Sequence, residues 1–69
     1  MIKVANQGQK IQEVAYRAGM TVANALAEAK VEASKGAVIS INGAVVNDPS
    51  KAVLADNDTV VVTPKIKNG

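Results

Sequence analysis

Two carboxylates set two residues apart, Asp56 and Asp58, are the residues whose type and spacing come nearest to a reactive pair. Such a pair can divide acid and base work or help to hold a metal ion. Turn chemistry accounts for them better, because Asp side chains in a turn accept hydrogen bonds from nearby backbone N–H groups. No third ligand lies near them in sequence, so no metal site is expected. Cys and His are both absent. That excludes disulfides, zinc knuckles, cysteine nucleophiles, Ser-His-Asp triads and haem ligation by His. With no base and nucleophile set, the chain reads as a non-enzyme with no cofactor. Lys65 and Lys67 form either an electrostatic docking stripe or solubilising charges on a loose end. Tyr16 is the sole aromatic residue, so stacking on bases or sugars would have only that ring to use. Tyr16 and the exposed part of Val45–Val46 are a candidate apolar docking patch, and completing a thin core is the competing reading.

These residues must be positioned by very little protein. The chain has 69 residues, room for one core only. By area scaling roughly 60% of the unfolded surface is buried on folding, which leaves stability marginal. Hydrophobic residues make up 48% and charged residues 20%, too apolar for a disordered tail. The net charge of +2 carries no mandate for nucleic acid or membrane. No apolar run approaches the roughly 18 residues of a spanning helix, and no targeting segment is visible, so a cytoplasmic protein is the expectation.

The kind of hydrophobicity points to sheet. Val and Ile together number 16 and Leu only 2. Branching at Cβ stiffens χ1 and suits a pleated surface. Ile2 to Ala5 and Ile11 to Tyr16 read as a hairpin around the polar Asn6-Gln7-Gly8-Gln9-Lys10. In the second run Ile11, Glu13 and Ala15 share one face and Gln12, Val14 and Tyr16 the other. Either face could be the buried one. Gly19 breaks that strand, and Thr21 is a helix N-cap, able to accept from Ala23 or Asn24. Met20 can staple onto the first turn. Val22, Ala25, Leu26, Ala29 and Ala33 make one apolar stripe, which predicts a helix from Val22 to about Lys30. Gly36 ends the region and suits the left-handed conformation that stops helices.

Ala37 to Ile41 predicts a strand, Asn42-Gly43 a two-residue hairpin turn, and Ala44 to Asn47 a short returning strand. Asp48-Pro49-Ser50 is a turn and Lys51 to Leu54 a brief extended piece. Asp56-Asn57-Asp58 is a second turn, with Asn57 suited to positive φ. Thr59 to Thr63 holds three consecutive Val residues, which predicts a central strand buried on both faces. Pro64 ends its ladder. The order is β-β-α-β-β-β, an α+β chain with one helix across a small mixed sheet. With the first and last strands side by side in the middle, this is the β-grasp (ubiquitin-like) arrangement. The division expected is a domain over 1–64 and a flexible polar tail over 65–69.

Three stretches resemble the small ubiquitin-like sulfur carriers, the ThiS and MoaD proteins of thiamine and molybdopterin synthesis. They are Val38-Ile39-Ser40-Ile41-Asn42-Gly43-Ala44-Val45-Val46, Leu54-Ala55-Asp56-Asn57-Asp58-Thr59-Val60, and Pro64 followed by a terminal Gly69. Thr21-Val22-Ala23-Asn24-Ala25-Leu26 also resembles the helix start of that family. The likeness covers nearly the whole chain in the same order. The family's Asp-Gly-Asp turn has Asn57 in place of its Gly here, and the family's Gly-Gly end is Asn68-Gly69.

The resemblance implies a function on the last residue. An adenylating (activating) enzyme would activate the Gly69 carboxylate for conversion to a thiocarboxylate or for conjugation to an amine. Pro64, Lys65, Ile66, Lys67 and Asn68 would form the docking arm. A thiazole or molybdopterin synthase-type acceptor is the implied second partner. Asn68 departs from this pattern, because a side chain there obstructs a narrow channel and reduces backbone freedom. It favours the alternative, a β-grasp protein-protein binding module or adaptor without C-terminal chemistry. Gly36 to Val46 also resembles a small ribosomal-type RNA-binding module. Arg17 is the only Arg, and Glu28 and Glu32 flank Lys30 on the helix, so nucleic acid is not an expected partner.

Overall fold

In the computed structural model, residues 1–6, 10–31 and 36–64 are described. The elements are β1 (Ile2–Asn6), β2 (Gln12–Val14), α1 (Val22–Glu28), β3 (Val38–Ile41), β4 (Ala44–Val46) and β5 (Thr59–Thr63). The strands form one five-stranded sheet in the order β2-β1-β5-β3-β4. β1 and β5 are parallel neighbours, with Val4 opposite Val60 and Asn6 opposite Val62. The other pairings are antiparallel. β5 is thus central, as its run of Val predicts.

Strand side chains alternate between faces, and among the described residues one face alone is covered. Ile2, Val4, Val14, Ile39, Val60 and Val62 point to the covered side and are buried. Val22, Ala25, Leu26 and Ala29 of the helix region pack in the same core cluster, and Met20, Val31 and Leu54 close it from the connections. The stripe read from the sequence is therefore the buried one, with Ala33 outside the described residues. The expectation that β5 is buried on both faces needs correction. Thr59 and Val61 on its other side are only half-buried. A seven-residue helix is about 10 Å long, about half the width of five strands, so Met20, Val31 and Leu54 from the connections complete the cover.

The helix start is held by four separate bonds. Thr21 and Asn24 form a capping box: the Asn24 N–H donates to Thr21 Oγ1 at 3.2 Å, and the Thr21 N–H donates to Asn24 Oδ1 at 3.1 Å. The N–H groups of Val22 and Ala23 donate to the carbonyls of Ala52 and Pro49, at 2.9 and 3.1 Å. Turn 48–51 is built for this, since the Asp48 carboxylate accepts from both the N–H and the hydroxyl of Ser50. Of the extended piece expected over Lys51 to Leu54, only Val53 makes a ladder contact, a single bridge to Thr21.

The helix stops earlier than the stripe implies. It ends at Glu28, with Ala29 as cap and Lys30 in the left-handed region at φ 57°. Lys30 N–H donates to the Ala27 carbonyl and Val31 N–H to the Leu26 carbonyl. This is a Schellman ending, in which an apolar residue after the cap folds back onto the last turn. Val31 and Leu26 are both buried in the core. Gly36 has φ 88° but lies beyond that stop.

β2 is also shorter than the run Ile11 to Tyr16. Val14 is opposite Ile2, the first residue of β1. Beyond it the partner strand runs out, so Ala15 and Tyr16 have no ladder to join. The buried side is that of Val14 and Tyr16; Ile11 and Ala15 are exposed. Gly19, at φ 81°, then turns the chain, with the Met20 N–H on the Arg17 carbonyl. That bond and a positive φ at the third residue define a turn that favours Gly there.

Candidate functional site

The two ends of β5 differ in kind. At its start, two turns are locked together by side chains. Asn42 and Gly43 have φ of 49° and 90°, the pair a type I′ hairpin turn requires. Asn42 Nδ2 donates to Asp58 Oδ1 at 2.9 Å, and Asn42 Oδ1 accepts from the Thr59 N–H at 3.0 Å. Asp58 Oδ2 accepts from the Ala55 N–H at 2.8 Å, closing the turn in which Asn57 takes φ 70°. The Asn42 N–H completes the clasp by donating to the Thr59 carbonyl.

Asp56 and Asp58 are therefore not a working pair. Asp58 belongs to the clasp. Asp56 accepts from the N-terminal ammonium of Met1 at 2.8 Å. That bond holds its carboxyl below the usual carboxylate range. Among the described residues no cluster of three metal-ligating side chains occurs, and no polar or charged side chain is buried. The Arg17 guanidinium, raised by its hydrogen bond to Glu28 at 2.9 Å, is a surface partner of the helix.

At the other end β5 leaves the sheet. Thr63 and Pro64 are exposed, and Val38 on β3 stands opposite Thr63. Pro64 has no N–H to continue the ladder. The exit is a strand length from the clasp, about 17 Å. Of the residues expected to act, Pro64 is at this exit. Lys65, Ile66, Lys67, Asn68 and Gly69 lie outside the described residues.

Between the two ends runs the open face. Ala5, Val61, Ser40 and Val45 stand in register across β1, β5, β3 and β4. Val38 and Val45 on this side are 48% and 66% exposed. Nothing in the sequence of β5 marks this face, because three consecutive Val residues carry no alternation and only a half-covered sheet places the middle one outward. The patch expected from Tyr16 with Val45–Val46 does not form. Tyr16 and Val46 pack against the core, while Val45 points to the open side. The strands that carry or precede them, β4 and β2, are the two opposite edges of the sheet.

Among the described residues no helix is long and apolar enough to cross a membrane. No family model matches the chain, and no curated protein matches it.

Proposed function

We propose that this chain is a β-grasp carrier or modifier of the ubiquitin-like sulfur-carrier type, whose Gly69 carboxylate is adenylated by an activating enzyme. The observation that supports it is the exit of the central strand. β5 lies between β1 and β3, the best-anchored place in the sheet, and ends in exposed Thr63 and Pro64. An arm leaving there is tied to the rigid body through two ladders, so an enzyme that docks on the body receives the arm at a defined origin. Lys65, Ile66, Lys67 and Asn68 are that arm in this reading, with the cationic pair suited to an acidic channel mouth. In this reading the body takes no part in the bond-making; it presents a carboxylate to another protein's chemistry. The acceptor is then a thiazole or molybdopterin synthase-type subunit.

The test is intact mass after incubation with ATP, an activating enzyme of this class and a sulfur donor. The expected result is the mass gain of one oxygen replaced by sulfur, located on the C-terminal peptide. No gain, together with unchanged function after deletion of Gly69, overturns the proposal.

One observation favours a second reading, that of an adaptor without tail chemistry. The open face exposes Val38 and Val45 beside Ala5 and Val61, with no covering layer among the described residues. In an adaptor, Val45→Lys abolishes partner binding and deletion of Gly69 leaves it intact. In the carrier, loss of Gly69 abolishes the reaction.

A further inference from the structure

We infer that Asn42-Gly43 is a self-modifying site, an asparagine poised for deamidation that the clasp with Asp58 holds shut. The chemistry needs no enzyme. The backbone nitrogen of Gly43 attacks Cγ of Asn42, a proton passes to Nδ2, and ammonia leaves. A five-membered succinimide remains. Water then opens it at either carbonyl, giving aspartate or isoaspartate. The net change consumes one water and releases one ammonia.

The sequence and the surroundings both permit attack. The nucleophilic nitrogen belongs to a residue without a side chain, and a Cβ built on Gly43 meets nothing within 4 Å, so space around it is open. Asn42 is exposed, so water reaches the site.

What opposes the reaction is the fixed carboxamide. Both of its heteroatoms are engaged at once, Nδ2 on the Asp58 carboxylate at 2.9 Å and Oδ1 on the Thr59 N–H at 3.0 Å. A carboxamide tied at both heteroatoms resists rotation, so the turn of Cγ onto the Gly43 nitrogen works against both bonds. The departing nitrogen is the one that Asp58 holds. The clasp is therefore a conformational lock on the amide, and the rate of modification follows the population of the locally open state.

Once the reaction occurs, it does not reverse. A carboxylate at position 42 sets an oxygen where an N–H group had donated to Asp58, and two negative groups then face each other across a hydrogen-bond distance. The isoaspartate product also adds a methylene to the main chain inside a two-residue turn, where length sets strand register. Modification therefore loosens the β3–β4 hairpin from the start of β5.

Peptide mapping of the full-length protein during incubation at mildly alkaline pH tests this. Modification at Asn42 is expected to be at least about tenfold slower in the native chain than in the same chain unfolded in urea, the factor that ~1.4 kcal/mol represents. Asp58→Ala is expected to accelerate it about tenfold under native conditions. Val62→Ala, which weakens the core away from the clasp, serves as the stability control and should accelerate it much less at equal measured stability. Equal rates in native and unfolded wild-type chain overturn the inference, and this arm does not depend on any variant folding. So does Asp58→Ala slowing the reaction, which would make the carboxylate a promoter, or matching Val62→Ala, which would make global unfolding the gate.

Discussion

Val60, Val61 and Val62 are the same residue three times in one strand, and the two faces of the sheet treat them differently. Val60 and Val62 point at the helix and are sealed, while Val61 on the opposite side is only half-buried. The covered face is dry and made of branched aliphatics against an alanine-rich helix. The open face carries Ala5, Val61, Ser40 and Val45 in one cross-strand row, with Lys3 and Glu13 paired at its margin. Stability comes from the first face. The second is where the molecule has surface to use, because its apolar groups still have area to remove from water.

The largest expected effect tests that contrast within adjacent residues. Val60→Ala is expected to cost about 2 kcal/mol in urea unfolding, from lost transfer energy and a residual cavity. Val61→Ala is expected to cost about 0.5 kcal/mol, the range of surface changes. Equal losses would mean that the open face is covered in solution. Next in size is the clasp, which stands at the start of β5 and serves both faces. Asp58→Ala is expected to cost about 1.5 kcal/mol, because Asn42 Nδ2 and the Ala55 N–H lose a charged acceptor. The double-mutant cycle with Asn42→Ala should give a coupling above about 0.5 kcal/mol; additive losses would dissolve the clasp as a unit.

A gain is expected on the covering layer itself. Lys30 holds a left-handed backbone that costs a residue with a side chain. Lys30→Gly should stabilise the chain by about 1 kcal/mol, read as a rise in the urea midpoint. A loss would show that the lysine side chain contributes more than its backbone costs.

The smallest effect is electrostatic and wholly outside the core. Asp56 is depressed by its bond to the N-terminal ammonium. Its contribution is therefore present above the unfolded carboxylate range and lost as pH falls through the folded value. Asp56→Asn should lower the unfolding midpoint slightly at neutral pH. The difference from wild type should vanish in acid and shrink with salt. A difference that persists in acid would assign Asp56 a role other than charge.

The elements with strong local physics were legible before any coordinates. Thr21 as cap, Asn42-Gly43 as a turn and Asn57 at positive φ each follow from what one side chain does to its own backbone. The boundaries set by partners were not. β2 stops at Val14 because β1 begins at Ile2, and the helix stops at Glu28 because Val31 folds back onto Leu26. Asp58 read as turn chemistry, which its carboxylate performs on the Ala55 N–H. Its bond to Ala55 is local, but its bond to Asn42 crosses 16 positions and has no signature in spacing.

By itself, then, the order of residues determined the strands, the helix stripe and the turns, because these depend on side chains a few positions apart. Tertiary structure decided which side of each strand is sealed, which turn is tied to which, and that Tyr16 and Val45 never meet. Those outcomes depend on one short helix being able to shield only one side of five strands, a limit of size that no local pattern encodes.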